Sequence, residues 1–131
     1  MNYVVDTSVV IAVVTNEPTR HQLVELTRDA DLLAPASLHW EIGNAFSAMF
    51  KQRRVTLDQA VAAVQTYSRI PIRLVDVSLE AALPLSHRLK IYADDAYVIG
   101  CALQHRCPLI TLDRELQVAA REAGAKVLEI N

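Results

Sequence analysis

Only three glycines occur in the 131 residues, at Gly43, Gly100 and Gly124. Their spacing forms neither the glycine-rich turn that approaches a dinucleotide nor a loop that wraps phosphates with backbone N–H groups. Nucleotide-fold enzymes of the usual kind are thereby excluded. Cysteine is also scarce: Cys101 and Cys107 are separated by five residues with no second pair of ligands, which argues against both a zinc site and a disulfide framework. Free, partly buried thiols in a reducing cytoplasm are expected. No apolar run approaches the ~20 residues that cross a bilayer, the longest reaching only from Val9 to Val14. The opening Met1-Asn2-Tyr3 lacks a basic n-region, so no signal peptide and no membrane association are expected. A basic excess is missing too. Thirteen Lys and Arg against 15 Asp and Glu give a formal net charge of −2, which taken alone argues against an electrostatic nucleic-acid binder.

What the chain does have is apolar residues, 52% of the total, spread over short segments. A single domain over 1–131 suits that length, and it can bury a core without a metal or disulfide staple. The run from Asn2 to Asp6 reads as a strand, and Val9 to Val14 as the helix after it. Thr19 opens a second helix, Leu32-Leu33-Ala34 is a short buried strand, and Leu38, Ile42, Ala45, Phe46, Met49 and Phe50 repeat at three and four, as in an amphipathic helix. Thr56 opens a helix carrying Leu57, Ala60, Val61, Val64 and Tyr67 on its apolar face. Ile72 to Val75 is a strand. Ser78 caps a segment with Leu79, Ala82, Leu83 and Leu89, in which Pro84 is expected to kink or restart the helix. Asp94-Asp95 precede another helix; Cys107 to Leu112 is a strand, Asp113 to Ala123 a helix, and Lys126 to Ile130 a final strand. Alternating strands and helices, with strands apolar on successive residues, predict an α/β fold: a three-layer α/β/α sandwich around a mostly parallel sheet.

In such a sheet ligands bind beyond the carboxyl ends of the strands. Four acids fall at such places: Asp6 at the end of the first strand, Glu41 early in its helix, Asp95 opening another, and Asp113 directly after Ile110-Thr111-Leu112. Carboxylates gathered there repel one another unless something positive sits among them, and a hard divalent cation such as Mg²⁺ or Mn²⁺ is the usual answer. Each acid also has a local explanation. Asp6, Asp94, Asp95 and Asp113 all stand where N-caps stand, and Glu41 gains from the helix dipole. The histidines His21, His39, His87 and His105 show no metal-pair spacing, which disfavours catalysis by a histidine pair.

Val4-Val5-Asp6-Thr7-Ser8, Glu41-Ile42-Gly43-Asn44-Ala45, Asp95-Ala96 with Ala102, and Thr111-Leu112-Asp113 together resemble the four motifs of PIN-domain nucleases. The likeness extends over nearly the whole chain, and at this size it resembles the VapC group of toxin ribonucleases. It implies a metal-dependent endoribonuclease in which Asp6, Glu41, Asp95 and Asp113 are catalytic and hold one or two Mg²⁺ or Mn²⁺ ions. The metal would polarise the scissile phosphate and generate hydroxide for in-line attack, leaving a 5′-phosphate. Ser8 would hydrogen-bond a carboxylate or metal-bound water, Asn44 would orient substrate or a ligand, and Thr111 supplies a matching strand-exit hydroxyl. An RNA substrate, a cognate VapB-like antitoxin and a homodimer are the partners implied. Where the family often has one acid after a tyrosine, Tyr92-Ala93-Asp94-Asp95 has two; Asp95 keeps the spacing to Ala96 and Ala102, leaving Asp94 as a cap or a peripheral ligand.

A receiver-like signalling module is the alternative from another class, with Asp76 as phosphoacceptor; Asp6 standing alone and Lys126 beginning the last strand instead of following it count against it. A PIN scaffold without activity is a third reading. With the four acids set aside as metal ligands, 11 acids remain against 13 basic residues, a balance of +2 outside the site. The overall −2 is thus compatible with an RNA enzyme whose negative charge is concentrated in one pocket.

Overall fold

A computed structural model describes residues 1–130. Four strands, β1 (Asn2–Val5), β2 (Asp31–Pro35), β3 (Ile72–Val75) and β4 (Leu109–Ile110), form one sheet in the order β3-β2-β1-β4, with every pairing parallel. Seven helices accompany it among the described residues: α1 (Thr7–Val14), α2 (Arg20–Thr27), α3 (Leu38–Lys51), α4 (Leu57–Arg69), α5 (Leu79–Leu89), α6 (Ala93–His105) and α7 (Arg114–Glu122).

Side-chain alternation along the strands sorts these helices into two layers. Tyr3, Val5, Ala34 and Ile110 point to one face, where they pack with α1 to α4 through Val9, Leu23, Leu38, Ile42, Phe46 and Ala60. Val4, Leu33 and Leu109 point to the other, against Ile99, Cys101, Leu116 and Ala120 of α6 and α7, with Leu85 and Leu89 of α5 alongside. The three-layer α/β/α sandwich expected of the sequence is the architecture found. Cys101 and Cys107 are both buried and free, and burial pushes the Cys101 thiol up to about 11.

Chain order fixes where a ligand site can form. From β1 the chain moves outward through β2 to β3, then α5 and α6 return it past β1 to β4 on the opposite side. The direction of winding therefore reverses between β1 and β4, and their carboxyl ends flank the crevice that such a reversal opens.

Several local expectations are corrected. The strand read from Cys107 to Leu112 narrows to Leu109–Ile110, and the one from Lys126 to Ile130 reduces to a single parallel bridge between Leu109 and Val127. Leu109 spends its N–H on Lys126 and its carbonyl on Leu128, so the tail docks at one point along the short edge strand. Pro84 does not divide α5, which runs unbroken; Glu80, whose carbonyl the proline leaves without an N–H, is exposed to water there. On α4 the small residues Ala60 and Ala63 face the core, while Leu57, Val61 and Val64 lie outside. Thr19 stands at the start of α2 without making a cap bond.

Thr56 does cap α4. Its hydroxyl accepts from Gln59 N at 3.1 Å and the Gln59 amide oxygen accepts from Thr56 N at 2.9 Å, closing a reciprocal box. Thr56→Ala is expected to lower stability by ~1 kcal/mol in urea denaturation; an unchanged midpoint would mean that the neighbouring helices hold this end without it.

Candidate active site

Asp6 stands at the centre of the crevice. It is the first residue after β1 and the N-cap of α1, 7% exposed, and both carboxylate oxygens are engaged. Oδ1 accepts from Ser8 Oγ at 2.6 Å and from Val9 N at 3.3 Å; Oδ2 accepts from Thr111 Oγ1 at 2.5 Å. Ser8 Oγ also accepts from Leu112 N at 3.0 Å, and the fully buried Thr111 Oγ1 accepts from Asp113 N at 3.1 Å. Two hydroxyls thus tie the exit of β1 to the exit of β4. Gln117 braces the same turn by donating its amide to the Thr111 carbonyl at 2.8 Å.

Asp113 is the N-cap of α7, its Oδ1 accepting from Glu115 N at 3.0 Å and Leu116 N at 3.3 Å. The local explanation for this acid is therefore real, and the cap uses one oxygen of the two. Glu41 sits half-buried in the first turn of α3, where Ser37 donates to its Oε2 at 3.2 Å. Asp95 lies in the first turn of α6, whose N-cap is Tyr92, and Asp94 Oδ1 accepts from the Asp95 N–H at 3.1 Å. Asn44 is exposed on α3, one turn beyond Glu41.

These acids lie close enough to feel one another's charge. Burial raises the pKa of Asp6, against the opposing pull of its Ser8, Thr111 and Val9 hydrogen bonds, and the charge of Asp113 raises it further. Burial also raises Glu41, with repulsion from Asp94, Asp6 and Asp95 adding to it despite the Ser37 hydroxyl. Asp95 is pushed up to about 6, first by burial and then by Asp94, Asp113, Asp6 and Glu115. Asp94 and Glu115 are thus part of the negative field. Glu115 went unnoticed in the sequence, although an acid two residues after an N-capping Asp lies in the same first turn. Asp76, the phosphoacceptor of the signalling alternative, follows β3 and lines a small cleft with Pro35, Ser37 and Tyr97.

Among the described residues no ion pair balances this charge. The ion pairs among the described residues, Arg28 with Glu25 and Arg121 with Glu129, are both elsewhere. The donor set consists of hard carboxylate oxygens held in a partly buried place, and that chemistry fits Mg²⁺ or Mn²⁺. Among the described residues, however, no three histidine, cysteine or carboxylate side chains are drawn together closely enough to hold one ion as they stand.

A family model described as "PIN domain" matches residues 3–122. The chain belongs to the PIN domain family. The four motifs read in its sequence lie within the matched span, around the crevice between β1 and β4. A chain of the VapBC2 structure from Rickettsia felis, solved bound to a DNA fragment from their promoter, superposes on this PIN domain with a TM-score of 0.72 and 13% identity, each chain covered in full. PAE2754 from Pyrobaculum aerophilum gives 0.64 at 23% identity, over 91% of this chain and 87% of that one. VapC20 from Mycobacterium tuberculosis, described as a Sarcin-Ricin loop cleaving toxin, gives 0.63 at 17%, over 89% and 94%. Those likenesses are of fold. Comparison with curated protein sequences finds no match. Among the described residues, no helix is long and apolar enough to cross a membrane.

Proposed function

We propose that this PIN domain is a Mg²⁺-dependent endoribonuclease, with Mn²⁺ able to substitute, and the toxin of a VapBC-type toxin–antitoxin pair. The observation that carries the reading is the gathering of Asp6, Glu41, Asp95 and Asp113 around the crevice between β1 and β4, with three of the four carboxyls raised and, among the described residues, no ion pair to any of them. Family membership and the fold shared with VapC20 support it.

In this reading the four carboxylates hold the metal. Bound there, Mg²⁺ supplies polarisation of the phosphodiester and activation of water for in-line attack. The chain's own contribution is orientation. Ser8 and Thr111 fix both oxygens of Asp6, the α7 cap fixes one oxygen of Asp113, and Ser37 steadies Glu41. Asn44, exposed one turn from Glu41, is placed to orient the RNA strand.

RNA cleavage with Mg²⁺ and with EDTA tests the reading: cleavage is expected with Mg²⁺ and with Mn²⁺, and undiminished cleavage in excess EDTA would overturn it. Thr111→Val keeps the shape of the buried side chain while removing the donor to Asp6 and the acceptor for Asp113 N. It is expected to slow cleavage ~10–100-fold and to raise the Mg²⁺ concentration needed for half-maximal rate. A wild-type rate would remove Thr111 from the machinery.

The antitoxin is proposed to lay a segment over an apolar groove of the toxin and to aim a basic side chain at the acids. Apolar surface for it, and for a second copy of the chain, is present in Leu57, Val61 and Val64 of α4 and Leu79 and Leu83 of α5, all exposed.

A further inference from the structure

We propose that the cleft between α3 and the end of α4 is a nucleobase subsite, in which Trp40 stacks on one unpaired base of an RNA strand whose phosphate lies at the carboxylates. The inference rests on the ribonuclease reading and adds to it the group that grips the substrate.

The cleft measures about 440 Å³ and is lined by His39, Trp40, Gly43, Asn44, Val64 and Tyr67 among others. Trp40 is 71% exposed, so the fold makes little use of its ring. Its neighbours order it nonetheless. His39 meets Trp40 edge to face, with centroids 5.1 Å apart at 84°, and the Tyr67 ring lies 6.0 Å beyond, its hydroxyl 3.5 Å from His39 Nδ1. Aromatic faces are therefore combined with an imidazole, a phenol and the Asn44 amide, the mixture that holds a flat ring whose edges carry donors and acceptors.

Gly43 is a second, independent sign. A glycine inside a helix disfavours folding roughly fivefold relative to alanine, and here the fold has no need of one, because an added Cβ would meet nothing within 4 Å. A bare backbone at that point lets a flat ligand approach closely.

Charge supplies the reason such a grip is needed. The crevice is acidic and the chain carries −2 overall, so an RNA backbone gains little from electrostatics. Stacking does not depend on charge and is worth ~5–150-fold in affinity per base. Position agrees: Trp40 precedes Glu41 by one residue and Asn44 follows it by three, which places both within ~5 Å of it along the helix axis.

Trp40 is the only tryptophan in the sequence, so its fluorescence reads the cleft directly. In EDTA, an unstructured RNA octamer is expected to quench that emission and to bind ~5–150-fold more tightly than an octamer of the same length with abasic riboses. By anisotropy of labelled RNA, Trp40→Ala should lose that advantage and Trp40→Phe should retain most of it. Gly43→Ala should weaken RNA binding while unfolding at higher urea, an outcome that damage to the fold cannot produce. Equal quenching by the abasic octamer, or unchanged affinity in Gly43→Ala, would overturn the subsite. So would an emission that shifts on protein dilution without RNA, which would assign the cleft to a second copy. Gel analysis of the same samples shows whether the RNA stayed intact in EDTA, so a failure of the ribonuclease reading is separated from a failure of the stacking contact.

Discussion

Replacing Asp95 by asparagine is expected to reduce metal-dependent RNA cleavage by ~100-fold or more, while leaving the metal-free protein at least as stable as wild type at pH 7. The two effects have one cause. Burial and the charges of Asp94, Asp113, Asp6 and Glu115 push the Asp95 carboxyl up to about 6, so its ionised form is held against the preference of its surroundings. Asparagine keeps the shape and removes the charge. The repulsion falls, and with it the negative field that would attract a cation. A gain in stability at the expense of activity is the mark of a residue placed for function. Asp6→Asn should behave differently. Its carboxylate accepts from Ser8 and Val9 at Oδ1 and from Thr111 at Oδ2; an amide nitrogen at Oδ1 would face the Val9 N–H, and at Oδ2 it would force the Thr111 hydroxyl to turn its proton away. That variant is expected to lose both cleavage and stability. Gel assays of cleavage with thermal melts in EDTA check both, and a wild-type rate for Asp95→Asn would remove that residue from the metal site.

The contrast between these two acids also shows what the sequence could and could not disclose. Asp6, Asp95 and Asp113 were legible because strand exits and helix starts can be located from apolar periodicity, and a parallel sheet collects its strand exits at one edge. The two layers were legible for the same reason, since Tyr3 and Val5 must face away from Val4. Periodicity marks an apolar stripe without saying what covers it. Leu57, Val61 and Val64 therefore share an apolar face with Ala60 in the sequence, yet the structure turns Ala60 and Ala63 inward and leaves the larger residues outside. The C-terminal strand was overread because β-forming residues need a partner of matching length, and Leu109–Ile110 offers only two residues. The aromatic cleft was out of reach altogether. His39 and Tyr67 lie 28 positions apart, and only the packing of α4 against α3 brings their rings together.

The pH dependence of stability follows from the same raised carboxyls, and it runs opposite to the usual acid trend. An acid whose folded pKa lies above its unfolded value binds its proton more tightly in the native state. Its contribution is then fully present below the unfolded value and is lost as pH rises through the folded one. For Asp95 that window extends from its ordinary value of 3.8 to about 6, and Asp6 and Glu41 shift in the same direction. Ordinary proteins lose stability on acidification because native ion pairs are broken. The ion pairs among the described residues here are two and exposed, so the opposing trend is weak. In EDTA the melting temperature is therefore expected to fall between about pH 4 and pH 6.5, and the Asp95→Asn variant should show a shallower slope. Mg²⁺ should reverse the fall. At ~100 times its dissociation constant a ligand bound only by the native state adds about 2.7 kcal/mol. Protons compete for the same oxygens, so Mg²⁺ should stabilise strongly at pH 7 and little at pH 4.5. Equal Mg²⁺ stabilisation at both pH values would place the cation away from these carboxylates and would dissolve the link between the acidic crevice and catalysis.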